Sequence, residues 1–276
     1  MRKYFSQRKG NKPSIDLDFL KKVFLNIFNE FSSKGYFQKY LGVECTDGFI
    51  EGLAGKDIDA YVMRKIRKTN LWPISTWIYF YSEEDLFDMI EFIYDHISAP
   101  LENEANFHSW DNCGWHYKNF DDEIGRTEYI NALNEFLNDY EGGYELSLKG
   151  EMLSLVKEEF KVLFESKVPS NIDKSIQEKI DSAVNKFRKY GSTLEDRGYA
   201  VRQLADCLEF LKSEIKVKLS KKDDSDIFNI ANNFAVRHHN DKQKNNYNKN
   251  IWLSWMFYFY LATIHAVVRF TEETEK

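Results

Sequence analysis

The stretch from Ile251 to Val268 limits the possible folds more than any other part of the chain, because its 18 residues carry no formal charge. Most sides of such a segment must be shielded from water, either in a membrane span or in a helix packed inside a bundle or a dimer. Its length is near the lower limit for a span, and Ser254, Thr263 and His265 interrupt its apolar character. We therefore favour a packed helix, with His265 in the core, over a C-terminal membrane anchor.

The overall composition favours a helical protein of a reducing compartment. Only 4 Pro and 13 Gly occur in 276 residues. Because Pro and Gly are typical of turns, their scarcity argues against a fold of many short strands. The net charge of -6 argues against a non-specific nucleic-acid coat but permits a local basic site. The three cysteines, Cys45, Cys113 and Cys207, are widely spaced, so no disulfide framework is indicated. Because the N-terminus also lacks the apolar core of a secretory signal, we predict a cytoplasmic location.

Apolar residues at helical spacing predict four helices in the C-terminal part of the chain. The first follows Pro169 with Ser170 as its cap and ends at Gly191, and the second begins with a capping-box pattern from Ser192 to Glu195. The predicted helices cover residues 172–187, 201–215, 224–236 and 249–270. Because short connections join them, we predict a four-helix up-and-down bundle.

The N-terminal part is less regular, although helical patterns dominate it. Helices are predicted for residues 16–31, 57–68, 82–97 and 128–137. Residues 71–81 are aromatic and are predicted to be extended or buried, residues 100–125 to form a long loop, and residues 142–153 to hold two short strands. The prediction is a mainly α protein, with an irregular, mostly helical domain over residues 1–167 and the helical bundle over residues 168–276.

One segment of the predicted loop has residues that bind metals in other proteins. His108, Asp111, Cys113 and His116 include an H-x4-C-x2-H spacing, which is compatible with part of a zinc site. A zinc site of the usual kind would need further ligands, and the sequence has no Cys-x-x-Cys pair to supply them. We interpret these residues as surface-loop residues and assign no metal and no cofactor.

A second cluster combines a guanidinium with two imidazoles. Arg237 offers a planar fork of donors suited to a phosphate, and it directly precedes His238 and His239. A neutral imidazole can accept a proton near pH 7 while a second, protonated one donates. Cleavage of RNA by its own 2'-hydroxyl needs such a base, such an acid and a cation beside the phosphate. These residues are therefore the candidate catalytic site.

The residues that follow make the turn before the last predicted helix locally basic. Lys242, Lys244 and Lys249 can bind a phosphate backbone, and Tyr247 can stack on a base. The alternative interpretation is that cationic residues decorate the end of a helix because the helix dipole favours them there. The sequence alone leaves both interpretations open.

Several motifs resemble known bacterial defence proteins. The C-terminal helices with the Arg-His turn resemble a HEPN domain. The stretches FSQRKGNKP, DLFDMIEFIYDHI and ALNEFLNDYEGGYEL resemble the N-terminal domains of AbiJ-type abortive-infection proteins. The resemblance implies a cytoplasmic bacterial toxin in which two HEPN bundles dimerise and bring Arg and His into one cleft that cleaves RNA without metal.

The resemblance carries over to the cluster with one difference in spacing. The HEPN signature places a His four to six residues beyond the Arg. Here His238 and His239 follow Arg237 directly, so they match the His of the signature in residue type but not in position. The signature also has a polar residue just after the Arg, and Asn240 is the candidate for this helper role. We expect an endoribonuclease of anti-phage abortive infection that binds RNA, with tRNA as one candidate. We also expect it to form a homodimer through its C-terminal bundle and to respond to an antitoxin or phage trigger. No membrane association is expected. The alternative is a non-catalytic HEPN module that binds RNA or a protein partner.

Overall fold

The chain divides into two compact units, Met1–Leu155 and Val156–Lys276. The computed structural model describes residues 15–103, 105–141, 143–155, 173–212 and 248–274. The described chain is mostly helical, in agreement with the predicted mainly α class. The domain boundary predicted between residues 167 and 168 lies in a segment, 156–172, outside the described residues.

The described part of the N-terminal unit consists of helices and, from Ala99 onward, of pairs of short antiparallel strands as well. Its helices are α1 (Leu17–Ser33), α2 (Gln38–Leu41), α3 (Ile58–Ile66), α4 (Ile74–Trp77), α5 (Glu83–Asp95) and α6 (Asp122–Leu137). Its strands are β1 (Ala99–Pro100), β2 (Asn106–His108), β3 (Gly114–His116), β4 (Phe120–Asp121), β5 (Tyr144–Leu146) and β6 (Met152–Ser154).

Helix α5 lies in the core of this unit because apolar residues form a broad buried face along it. Leu86, Met89, Ile90 and Ile93 are fully buried, and α5 packs against both α1 and α6. Ser82 begins the helix with a capping box that satisfies free backbone N–H groups of the first turn. The helices predicted over residues 16–31, 57–68, 82–97 and 128–137 are confirmed, with α6 starting six residues earlier than predicted.

Two aromatic segments agree with the prediction only in part or not at all. Residues 71–81 are buried at several positions, as one of the two predicted alternatives stated, and they form α4 and a 3-10 helix (Ile78–Phe80) instead of extended chain. Residues 100–125 are not an unstructured loop, since β1 pairs with β4 and β2 pairs with β3 within them. Each of these strands has only two or three residues, which is too short to show an alternating pattern in the sequence.

The hairpin predicted around Lys149–Gly150 is confirmed as β5 paired with β6. Gly150 has a φ of 78°, and a Cβ there would lie 2.2 Å from the ring of Tyr94. The hydroxyl of Tyr94 donates to the Leu148 carbonyl in the same turn. The turn therefore needs glycine for both its backbone conformation and its close approach to α5.

The described C-terminal unit contains α7 (Lys174–Arg188), α8 (Leu194–Phe210) and α9 (Lys249–Thr274). Asp173 caps α7, three residues after the predicted Ser170, and Thr193 caps α8 in a capping box with Asp196. Helix α8 packs against both α7 and α9. The helix predicted over residues 224–236 lies outside the described residues, so the four-helix bundle stays a prediction.

Helix α9 contains the charge-free stretch and buries one face of it. The buried residues recur every three or four positions, as a packed helix requires: Leu253, Met256, Phe257, Tyr260, Leu261, Ile264, His265, Val267 and Val268. Phe257 stacks on Phe187 of α7 with ring centroids 3.9 Å apart. Residues 251–269 are long and apolar enough to cross a membrane, but half of that window is buried inside the protein.

A buried and an exposed isoleucine test this packing. Ile264→Ala should lower the free energy of unfolding by about 2–5 kcal/mol, because Ile264 is fully buried and its loss leaves a cavity. Ile124→Ala, at a position 46% exposed on α6, should change it by less than about 0.5 kcal/mol. Urea denaturation measures both, and equal effects would contradict the burial of Ile264 in α9.

Candidate metal centre

The predicted catalytic cluster falls outside the part of the chain that the structure describes. The predicted site residues there are Arg237, His238, His239, Asn240, Lys242, Lys244 and Tyr247. The eighth predicted site residue, Lys249, is described and is the exposed first residue of α9. Within the described residues, the concentration of chemically reactive side chains lies instead in the N-terminal unit.

The β2–β3 hairpin orients two histidines to one side. His108 pairs with Gly114 and Asn106 pairs with His116, so both histidines share a face of this two-stranded sheet. Phe107 and Trp115 point to the other face, where both are about half exposed. Cys113 immediately precedes β3 at the end of the turn. All four residues singled out in the sequence thus lie in this hairpin, and three of them, His108, Cys113 and His116, come close together.

A second turn, 63 residues before His108, supplies another thiol. Val43 and Ile50 form an antiparallel bridge through two hydrogen bonds of 3.0 and 2.9 Å. Between them the Gly48 N–H donates to the Cys45 carbonyl, and Gly48 has a φ of 117°. This tight turn holds Cys45 near its start.

The side chain of Gln38 holds the two turns next to each other. Its amide nitrogen donates to the Trp115 carbonyl over 2.8 Å, and its amide oxygen accepts from the Tyr117 N–H over 3.1 Å. Gln38 begins α2, and the chain runs from the end of α2 directly into the bridge at Val43. The two hydrogen bonds therefore anchor β3 beside the segment that contains Cys45.

Four ligand-type atoms converge at this junction. Cys45, His108, Cys113 and His116 each present a sulfur or a ring nitrogen, and these atoms lie within 4.8 Å of one another. The Sγ of Cys45 is 3.4 Å from Nδ1 of His108, and the Sγ of Cys113 is 3.1 Å from Nε2 of His116. All four side chains are half-buried. Asp111, the remaining residue from the sequence pattern, is exposed and does not belong to the cluster.

The surroundings of the two thiols shift their acidities in opposite directions. The Asp47 backbone N–H, which lies 3.5 Å from Cys45 Sγ, lowers the pKa of that thiol, and the Cys113 and His108 side chains lower it further. Burial and the neighbouring Cys45 raise the pKa of Cys113. The Cys45 thiol is therefore the more acidic of the two because its pKa is lowered and that of Cys113 is raised, and a cation among the four residues would favour the thiolate form of both.

Two sulfurs and two imidazole nitrogens make a donor set suited to a soft or borderline metal ion. Sequence spacing found His108, Cys113 and His116 but missed Cys45, because only the fold brings the two turns together. The available signal was indirect. Two of the three cysteines, in a chain without a disulfide pattern, lie close to turn residues: Cys45 is two residues before Asp47-Gly48, and Cys113 directly precedes Gly114.

A cleft of about 870 Å³ opens beside the Cys45 turn. Phe28 stacks on Phe37 with centroids 4.9 Å apart and meets Trp72 edge-on, which gives the cleft an aromatic wall. Val43 and Glu44, the two residues before Cys45, also line it. The position of the Cys45 turn therefore shapes this cleft.

Comparison of the chain with protein-family models, curated proteins and solved structures gives no match. The resemblance stated above therefore rests on the sequence motifs. FSQRKGNKP lies outside the described residues. DLFDMIEFIYDHI covers α5 from its third residue and the two residues after the helix, and ALNEFLNDYEGGYEL runs from α6 into β5. The last two motifs contribute buried core residues, so packing in the core is sufficient to explain them.

Thiol labelling distinguishes the cluster cysteines from the core cysteine. Cys207 is fully buried and burial raises its pKa to about 11, so the native, reduced protein should not alkylate there at neutral pH. In chelator-treated protein, Cys45 and Cys113 should react with iodoacetamide. Peptide mass mapping measures all three, and denatured protein, in which all three react, is the control. Native labelling of Cys207 as fast as Cys45 would contradict the described burial.

Proposed function

We propose that this chain is a cytoplasmic HEPN-type endoribonuclease of a bacterial abortive-infection system. The observation that carries the proposal is the sequence Arg237-His238-His239-Asn240, which lies in the chain shortly before the packed helix α9. A helical unit with a shared core over α7, α8 and α9 is compatible with the HEPN-like bundle. RNA cleavage of this kind uses protein groups alone and needs no metal at the scissile phosphate.

Each residue of the cluster has a role in this proposal. Arg237 holds the scissile phosphate through its guanidinium, and one of His238 and His239 removes the 2'-hydroxyl proton. The other histidine protonates the leaving oxygen or binds the phosphate, and Asn240 orients the reacting group. Two protons move in such a reaction, so a base and an acid are both required.

The basic residues around the start of α9 would bind the RNA backbone. Lys249 is exposed at the first position of this long helix, where the helix dipole also favours an anion. Lys242 and Lys244 would extend the binding surface, and Tyr247 would stack on a base. tRNA is one candidate substrate, because its loops present unpaired nucleotides.

The proposal includes a homodimer through the C-terminal unit, with the arginines and histidines of two chains sharing one cleft. The exposed face of α9 supports it. Ile251, Trp252 and Trp255 are 64%, 37% and 41% exposed, and Trp255 stacks on Phe259 with centroids 5.4 Å apart. Rigid aromatic side chains of this kind contribute strongly to protein interfaces. The N-terminal unit would respond to a phage trigger or an antitoxin.

A cytoplasmic location is part of the same proposal. The buried face of α9 contacts α8 and α7, which a lipid-facing anchor helix would not need. The alternative function is a non-catalytic HEPN module that binds RNA or a protein partner. The spacing of the histidines favours this alternative, because they follow Arg237 directly instead of lying four to six residues beyond it.

The enzymatic proposal is tested by incubating the purified protein with tRNA and total RNA in buffer without divalent ions. Wild-type protein should cleave. Arg237→Ala and the double variant His238→Ala/His239→Ala should lose at least about 100-fold of the rate, because general acid–base catalysis contributes at least that much. Lys174→Ala, which removes an exposed cation of α7, is the matched control and should cleave normally. Equal cleavage by all variants contradicts the proposal, and binding without cleavage favours the module.

The dimer is tested by light scattering coupled to gel filtration. Wild-type protein should elute at twice the chain mass of 32.7 kDa. Trp255→Lys should shift it to one chain and reduce RNA cleavage, because a charge would have to be buried in the apolar contact. Leu194→Lys, at an exposed position on α8, should leave the dimer intact. A wild-type protein at the single-chain mass would contradict the dimer.

A further inference from the structure

We propose that Cys45, His108, Cys113 and His116 bind one Zn²⁺ ion in a closed tetrahedral site of structural character. This inference is independent of the proposed nuclease, since the four residues belong to the N-terminal unit and the cluster around Arg237 to the other. It departs from the expectation of no metal that the local spacing supported. The new observation is the position of Cys45.

The distances are those of a zinc site before the ion is added. Ideal Zn–S and Zn–N bonds in a tetrahedron put neighbouring ligand atoms about 3.3–3.8 Å apart. The two sulfur–nitrogen pairs, at 3.4 and 3.1 Å, already lie close to that range. All four atoms fall within 4.8 Å, so shifts of about 1 Å or less complete the coordination. The two histidines come from one face of a hairpin, and this shared face is what allows both to reach one point.

The donor set selects zinc among the common metal ions. Magnesium and calcium prefer oxygen ligands, whereas thiolate and imidazole together suit zinc. Two cysteines and two histidines fill all four tetrahedral positions, which leaves no open position for water or substrate. The site is therefore structural, and it does not replace the proposed metal-independent chemistry of the C-terminal unit.

The segment that carries the ligands has little apolar packing of its own. In the β2–β3 hairpin, Phe107, Trp110 and Trp115 are 59%, 72% and 51% exposed, so the largest apolar side chains of the hairpin do not form a core. A hairpin with two three-residue strands is marginal in water without another source of stability. A metal that joins it to the Cys45 turn would supply that stability, as structural zinc does in small domains.

Neighbouring residues are arranged to support the ligands. Asp47 Oδ2 lies 3.7 Å from Nε2 of His108, the ring nitrogen that remains when Nδ1 binds the metal. Carboxylates at this outer position fix the tautomer and orientation of metal-binding histidines. Gln38 is a positioning residue, because its two hydrogen bonds to β3 hold the hairpin beside the Cys45 turn.

The site also has a consequence for the aromatic cleft. Val43, Glu44 and Phe49 line the cleft and belong to the turn that contains Cys45. Zinc bound at Cys45 would fix this wall to the β2–β3 hairpin. Loss of the metal would release the wall, so the shape of the cleft would depend on metal occupancy.

Metal analysis of the purified full-length protein tests the proposal. Protein expressed with zinc in the medium should contain about one Zn²⁺ per chain by inductively coupled plasma mass spectrometry. Cys45→Ser and Cys113→Ser should each lower this content at least about fivefold, since a single ligand loss opens a closed site. Cys207→Ser is the matched control and should keep the full content, because Cys207 lies in the core of the other unit. Zinc-free wild-type protein, or equal loss in the control, would overturn the proposal.

A spectroscopic titration covers the case in which the cysteine variants do not fold. Chelator-treated wild-type protein should bind Co²⁺ with sulfur-to-cobalt charge-transfer bands and the visible bands of a tetrahedral ion, and added Zn²⁺ should remove both. Zn²⁺ should also protect Cys45 and Cys113 from alkylation. Gln38→Ala should weaken Zn²⁺ binding about tenfold while retaining the tetrahedral spectrum, because it loosens the support but removes no ligand. A featureless titration, or a Cys45–Cys113 disulfide in protein kept under reductant, would show that the cluster is not a zinc site.

Discussion

The packing of α9 against α7 and α8 removes from water the apolar face of the longest charge-free stretch in the chain. Burial of that face is the main driving force available to the described C-terminal unit, since its fully buried residues are almost all aliphatic or aromatic. The same face explains how a segment long enough to span a membrane can belong to a packed protein. Its other face keeps Ile251, Trp252 and Trp255 exposed, and these residues motivate the proposed dimer.

The N-terminal unit combines two different sources of stability. Helices α1, α5 and α6 share an apolar core around Phe24, Ile90 and Tyr129. Between Ala99 and Asp121 the chain forms two pairs of antiparallel strands, and Phe107, Trp110 and Trp115 in this segment are mostly exposed. Polar groups lie at the β2–β3 end of this segment. They are the hydrogen-bonded Gln38 amide and the four ligand-type atoms of the cluster. The proposed metal site therefore lies in a segment whose largest apolar side chains are mostly exposed.

The helices were predictable because the apolar period and the capping residues of each helix lie within a short stretch of sequence. The period of apolar residues placed α1, α5 and α9 to within a few residues, and capping chemistry placed the start of α5 at Ser82. The short strands from Ala99 to Asp121 were not predictable in this way, because a strand of two or three residues shows no period and depends on its pairing partner. A smaller difference between prediction and structure occurs at the start of α8. Its capping box begins at Thr193, one residue after the predicted Ser192.

By itself the sequence determined the mostly helical class and the amphipathic or apolar character of each helix. It also singled out His108, Cys113 and His116, although their spacing alone led to the expectation of no metal. It did so because helix periodicity and the spacing of His108, Cys113 and His116 are local properties of the chain. Only the tertiary structure decided that Cys45 joins them. That juxtaposition depends on two turns separated by more than sixty residues and on the hydrogen bonds of Gln38, and no local window of the sequence contains both.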